Sequence, residues 1–182
     1  MNKHEQILMR VWKSESTAEC FRTDEHVLAH NGFAILLLNN LDRIDPNWTY
    51  DRTNDKYDLC MKMLSDNDLS VSCKKNLPDM ADMKATLKTA RTAANKLSVD
   101  LTEEQLCSTR YMGPYLGCLT VNLKYLYDFM WALGDNIHAF WSGRINCRLV
   151  NGVHRTAADG GLYLCGSNGQ AYLMPIEREA HV

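Results

Sequence analysis

The chain is poor in residues that break regular structure. Four prolines and ten glycines in 182 residues exclude collagen-like and low-complexity chains. It has no long apolar run: the longest, residues 33–38, is too short to cross a bilayer. Arg10 and Lys13 interrupt the hydrophobics after the opening residues, so no secretory signal is expected. Cys-x2-Cys pairs, phosphate-binding Gly-rich loops, serine nucleophile elbows and His-Glu-x-x-His are all missing, and with them the sequence support for the chemistries they mark. What is there is an ordinary globular composition, 46% hydrophobic and 23% charged. A chain of this length buries roughly 70% of its unfolded surface, enough for a real core. The expectation is a soluble, cytoplasmic protein.

The seven cysteines, at 20, 60, 73, 107, 118, 147 and 165, are odd in number and unclustered, which fits reduced thiols better than a disulfide framework. His26 and His30, near Cys20 and Asp24, invite a metal reading. The stretch reads as a strand, however, and side chains four apart on a strand lie about 13 Å from each other, too far to share one zinc. Cys107 or Cys118 as a nucleophile activated by His138 or His154 has nothing in the sequence to bring the groups together. The carboxylates of residues 51–58 and 66–68 lack calcium-loop spacing. No enzyme, metal or cofactor is expected.

The first forty residues read as strands. Leu8 to Trp12 alternates weakly, and Asn31-Gly32 between two apolar runs signals a hairpin of the I′ type. Residues 33–38 are apolar without alternation, as in a strand buried on both faces. Residues 39–58 form a polar insertion, and residues 57–64 fit a helix or a strand equally. A strand is expected over 69–74 and a helix over 78–94, with Pro78 in its first turn and a stripe of Met80, Met83, Leu87, Ala90 and Ala94. Residues 96–106 stay ambiguous. Asn122 caps a helix whose stripe is Leu123, Leu126, Tyr127, Met130 and Leu133, ended by Gly134. Strands at 137–141, 144–150, 162–165 and 170–174 follow, with Asn151-Gly152, Asp159-Gly160 and Asn168-Gly169 as turns. The fold class is α+β, antiparallel sheets with helices on one face. Its halves are residues 1–110 and 111–182.

Net charge is −2, but it is uneven: −4 over residues 1–70, +4 over 71–99 and −2 over 100–182. Lys84, Lys88 and Arg91 repeat at helical spacing, with Lys74 and Lys75 adjoining. Such a stripe follows a phosphate backbone or an acidic protein face, and is also the usual solvated side of a helix. The aspartates Asp42, Asp45, Asp51, Asp55 and Asp58, with Trp48 among them, make an acidic stretch suited to meeting a basic protein surface. A solvated loop explains any one of them as well.

Two motifs in the last third are familiar. Residues 121–133, with an asparagine cap, a tyrosine-leucine pair (Tyr125-Leu126) and a closing Ala132-Leu133, resemble the helix of the last half-domain of bacterial DNA polymerase sliding clamps. Ala171-Tyr172-Leu173-Met174-Pro175-Ile176 is similar to the final strand of that family, which runs into Met-Pro. The resemblance spans about residues 113–176 and implies a βαβββ half-domain. Residues 28–33 are more weakly similar to the hairpin of the other half-domain. Clamps are non-catalytic rings around DNA, and their Met-Pro strand lines a groove for short peptides of polymerases and repair proteins. The resemblance therefore implies groove residues Tyr172, Met174, Pro175 and Ile176. The chain departs from the family in its acidic tail, residues 177–182, and in Lys124, which is balanced by Asp128 on the helix that lines a clamp's ring. Six copies would be needed to close a ring.

These departures favour a protein that keeps the shape of a DNA-processing part without its electrostatics. The functional expectation is a phage or mobile-element protein that binds and inhibits a nucleic-acid enzyme. By size, character and elimination this resembles an anti-CRISPR inhibitor of a Cas9-type nuclease, a DNA mimic blocking its DNA binding as a monomer or dimer. A clamp-like processivity or scaffold protein is the alternative, and direct DNA contact is assigned to residues 74–96.

Overall fold

The computed structural model describes residues 1–13, 18–39, 42, 44, 55–65, 71–72, 77–97, 108–113, 117–150, 153–174 and 179–180. Helix α1 (Lys3–Lys13) comes first, where the sequence reads as strand. Asn2 and Glu5 explain the difference. The Asn2 Oδ1 accepts from the Glu5 N–H at 3.0 Å and Glu5 Oε2 accepts from the Asn2 N–H at 2.7 Å, a reciprocal cap that starts the helix. His4, Ile7, Leu8 and Val11 then repeat at helical spacing and are buried. The apparent alternation of Leu8 to Trp12 was two members of that stripe.

The chain continues through β1 (Glu19–Arg22), β2 (Val27–His30), β3 (Ala34–Leu38), α2 (Asp55–Ser65), β4 (Val71–Ser72) and α3 (Met80–Leu97). It ends with β5 (Ser108–Gly113), β6 (Gly117–Asn122), α4 (Leu123–Leu133), β7 (His138–Val150), β8 (Val153–Gly166), β9 (Gly169–Leu173) and β10 (Glu179–Ala180). The architecture is α+β. Six strands in the order β1-β2-β3-β9-β8-β7 form an antiparallel sheet, β4 and β10 add two-residue pairings to β7 and β8, and β5-β6 pair separately.

The sheet contains an internal repeat. An eleven-residue helix and a three-strand meander occur twice, as α1-β1-β2-β3 and α4-β7-β8-β9. The register is the same in both copies. Val27 pairs with Leu38 as Leu162 pairs with Leu173, and Ile35 pairs with His30 as Gln170 pairs with Cys165, a constant offset of 135 residues. The joint obeys the same relation, because Ala34 faces Leu173 and Leu38 faces Gly169. Phe21 and Phe140 are counterparts too, opposite Leu28 and Tyr163. Both helices begin after an asparagine whose side chain accepts their first free N–H groups.

Strand parity divides the core. Val27, Ala29, Leu36, Leu38, Leu162, Leu164 and Ala171 point to α1 and α4, whose Leu8, Leu126, Phe129 and Leu133 are fully buried. Phe21, Leu28, Ile35, Leu37, Tyr163 and Tyr172 point the other way and are covered by Cys60 and Leu64 of α2. Helices therefore lie on both faces, correcting the one-face expectation. Helix α3 adds to the α1/α4 side, with Met83 in that core and Met80 and Leu87 packed against it.

Other corrections are local. Asp79, not Pro78, starts α3, since its side chain accepts from the Ala81 N–H at 2.7 Å. The hairpin at Asn31-Gly32 is not type I′, because Gly32 alone has positive φ (84°) there. Asn31 Oδ1 instead accepts from the Phe33 and Ala34 N–H groups. Asp159-Gly160 lies inside β8, paired with Arg144 and Gly143, so His138–Val150 is one long strand rather than two. The neighbouring Gly161 is there for close approach, since a Cβ on it would stand 2.5 Å from the Leu173 carbonyl. Residues 57–64 are helical, β4 falls within the strand expected over 69–74, whose other residues lie outside the described ones, as do Asn151-Gly152 and most of 96–106.

Candidate binding groove

Helix α2 packs on the sheet, and an opening lies between it and the ends of β3 and β9. Two polar pairs fix its first turn: Lys56 Nζ donates to Glu19 Oε1 at 3.0 Å, and Tyr57 Oη lies 2.7 Å from His26 Nε2. Cys60 and Leu64 carry its buried face. The opening is an apolar cavity of about 340 Å³, at the small end of the range for ligand sites. Ile35, Cys60 and Tyr172 form its floor; Phe33, Leu59, Met63 and Met174 its rim; His30 and Lys56 one wall.

Its rim is unusually apolar. Among the described residues four large hydrophobic side chains are exposed, and three surround this cavity: Phe33 (55%), Leu59 (57%) and Met174 (39%). Single exposed hydrophobics need no explanation, but a contiguous set around a concave site marks an interaction surface. The backbone holds the two strand ends together, with the Met174 N–H donating to the Phe33 carbonyl at 2.8 Å.

The wall carries charge. His30 is 6% exposed and stacks on Phe21, and its Nε2 has no hydrogen-bond partner. Glu19 Oε2 stands 3.6 Å away, beyond hydrogen-bond range, and acts on the ring through charge. Burial pushes the imidazole below its ordinary value, and Glu19 recovers only part of that shift. Partial burial pushes the Glu19 carboxyl up, but Lys56 and His30 outweigh it and hold it below its ordinary value. Burial, with the Glu19 charge, pushes the Cys60 thiol up to about 11, so it stays protonated at neutral pH and is no nucleophile. Among the described residues no three His, Cys, Asp or Glu side chains are placed to hold a metal.

Of the groove residues implied by the clamp resemblance, Tyr172 and Met174 both line this cavity, while Pro175 and Ile176 lie outside the described residues. The acidic tail departs from the groove: Glu179 and Ala180 pair with Arg155 and His154, about 23 Å along β8 from Leu162, itself opposite Leu173. The acidic stretch is described only in part. Asp42 and Asp58 are exposed, Asp55 begins α2, and Asp45, Trp48 and Asp51 lie outside the described residues. Lys84 and Lys88 are exposed on α3, Arg91 is on the same helix, and Lys74 and Lys75 lie outside the described residues. Sequence reasoning missed His30, Phe33, Leu59 and Cys60 as wall, rim and floor. The helical spacing of Tyr57, Cys60, Met61 and Leu64 was the available signal for α2. No helix is long and apolar enough to cross a membrane among the described residues. Comparisons with family models, curated proteins and solved structures found no match.

Proposed function

We propose that this chain is a non-enzymatic, clamp-like module that holds a nucleic-acid enzyme by a short apolar segment bound in the α2 groove. The carrying observation is the ring of exposed Phe33, Leu59 and Met174 around one apolar cavity. Apolar anchors in such a pocket dominate affinity in peptide-in-groove recognition. The clamp resemblance puts Tyr172 and Met174 in a peptide groove, and the αβββ repeat supports a clamp-like layout of paired half-domains. In its narrowest form the partner is a Cas9-type nuclease of the host cell, and the bound module, acting from a phage or mobile element, blocks its DNA binding.

A ring of copies encircling DNA is the second reading, favoured by the same repeat. Helix α3 speaks against it, because it packs over α4 on the side a clamp turns to DNA. A solution mass near 20.8 kDa or twice that supports the binding module, and about 125 kDa, six copies, supports the ring. The groove itself is tested with a fluorescein-labelled clamp-binding peptide of a bacterial polymerase, read by anisotropy. Leu59→Glu and Met174→Glu should each weaken binding at least tenfold; equal binding by wild type and both variants would remove the groove reading. Cleavage by Cas9 with guide RNA and target DNA, undiminished by excess protein, would remove the Cas9 form alone.

A further inference from the structure

The groove occupies one face of the sheet, and the other face has a charge of its own. Helices α1, α3 and α4 carry eight basic and three acidic residues, a balance of +5 in a chain of −2, so the rest carries −7. All three pack on the same side of the sheet, which turns a sequence imbalance into a polarised molecule.

The acidic residues of this layer are largely spent. Asp128, 2% exposed, accepts from both Arg10 and Lys124. Glu5 is occupied by the α1 cap. Among the cations Arg10 and Lys124 are held by Asp128 in turn, and the two α3 lysines are not. Lys84 and Lys88, one turn apart on α3, are exposed and have no ion pair among the described residues. Lys3 of α1 lies 3.7 Å from the Trp131 ring centre, and the nearby charges of Lys84 and Arg10 add to burial in lowering its pKa. Helices α1 and α3 pack on the same core on this side of the sheet, so Lys3 belongs to the same face as the α3 lysines. Ala81, Ala85 and Thr89, small and exposed, lie beside the two lysines on α3.

We infer that the α1/α3 face, through Lys3, Lys84 and Lys88, is a second binding surface that takes the phosphate backbone of nucleic acid, on the side of the sheet opposite the groove. Side chains one helical turn apart, about 5–6 Å, can follow successive phosphates. Trp131 does not serve as a stacking platform, since it is already covered by Lys3 and His4. Recognition is therefore of backbone charge, without base readout. The surface lies on α3, outside the residues that carry the clamp resemblance, and does not depend on the groove reading. A module with both faces would bind a protein segment on one side of the sheet and a nucleic-acid backbone on the other.

The test is fluorescence anisotropy of the full chain with a labelled 20-base-pair duplex from 50 to 200 mM salt. Binding should fall steeply with salt, and Lys84→Glu/Lys88→Glu should weaken it at least tenfold at 50 mM and flatten the salt slope by about two. Lys84→Arg/Lys88→Arg should keep it, showing that charge and not lysine packing matters. Met174→Glu should leave it unchanged, which separates this surface from the groove. No binding at 50 mM, binding that ignores the double reversal, or binding to poly-glutamate as tight as to the duplex would each overturn the inference, the last assigning the face to acidic proteins.

Discussion

Leu36 and Ala171 face each other across the middle of the sheet, and each is the other's counterpart in the repeat. The pseudo-twofold axis passes between them. Both are fully buried under α1 and α4, so the two half-domains meet on one pair of side chains of unequal size. Symmetry of backbone register has been kept while symmetry of side chains has been given up for packing.

The size difference should be measurable. Leu36→Ala opens a cavity at the joint and is expected to cost about 2–5 kcal/mol. Ala171→Leu overfills it and should cost about 1–3 kcal/mol. Urea unfolding reads both. A cost near zero for either would mean that the helix layer does not pack on this pair as described.

Asp128 is the more deeply buried of the two buried carboxylates, Glu5 and Asp128, on the described residues of the helix layer, and it ties α1 to α4 through Arg10 and Lys124. Asp128→Ala leaves two cations without their partner and is expected to cost about 3–5 kcal/mol, the penalty for breaking one side of a buried ion pair. Thermal unfolding of this variant beside Lys124→Met separates the exchange of an i,i+4 pair from the loss of the shared anion. A larger effect from Lys124→Met than from Asp128→Ala would contradict the shared role.

The wall of the groove makes stability depend on pH. His30 has a folded-state value below its ordinary 6.5, so the unfolded chain takes up a proton the folded chain resists. Its contribution is complete above about 6.5 and is lost as pH falls through the interval beneath it. Glu19, held below its ordinary 4.5, contributes above that value and is lost at still lower pH. Stability should therefore start to fall on acidifying below about 6.5, before carboxylates titrate. His30→Phe keeps the stack on Phe21 and should remove this first phase only. An unchanged profile in that variant would assign the phase elsewhere.

Cys60 gives the groove a chemical reporter. With its thiol pushed to about 11, alkylation by iodoacetamide at pH 7.5 should be very slow in the folded chain and rise about tenfold per pH unit while the fold holds. Peptide mass mapping reads the site directly. Rapid labelling at pH 7.5 would show a thiol freer than the buried one seen against the sheet.

Much of the local structure was legible. Asn122 and the stripe beginning at Leu123 announced α4, and the methionine stripe announced α3, because a helix writes its buried face in a period that is independent of its partners. Helix α1 was misread because Arg10 sits inside its stripe of apolar residues; it reaches Asp128, 118 positions away, a partner invisible locally. Asp159-Gly160 was misread for the opposite reason. It has turn chemistry, and only pairing with β7 and the approach of Leu173 show that glycines are there to let strands come close. Of the groove, Tyr172 and Met174 were reached by resemblance. Phe33, Leu59 and His30 were not, since no local pattern says that a turn, a helix and a strand end will share one cavity.

The sequence by itself determined the class of the protein, the helices α3 and α4, the buried hairpin strands and the basic segment. These follow from periodicity, caps and composition, which act over a few residues. Tertiary structure alone decided the repeat, the two-faced sheet and the groove. Each depends on strand order and on which parity of a strand meets which helix, and those are settled by contacts between residues more than a hundred positions apart.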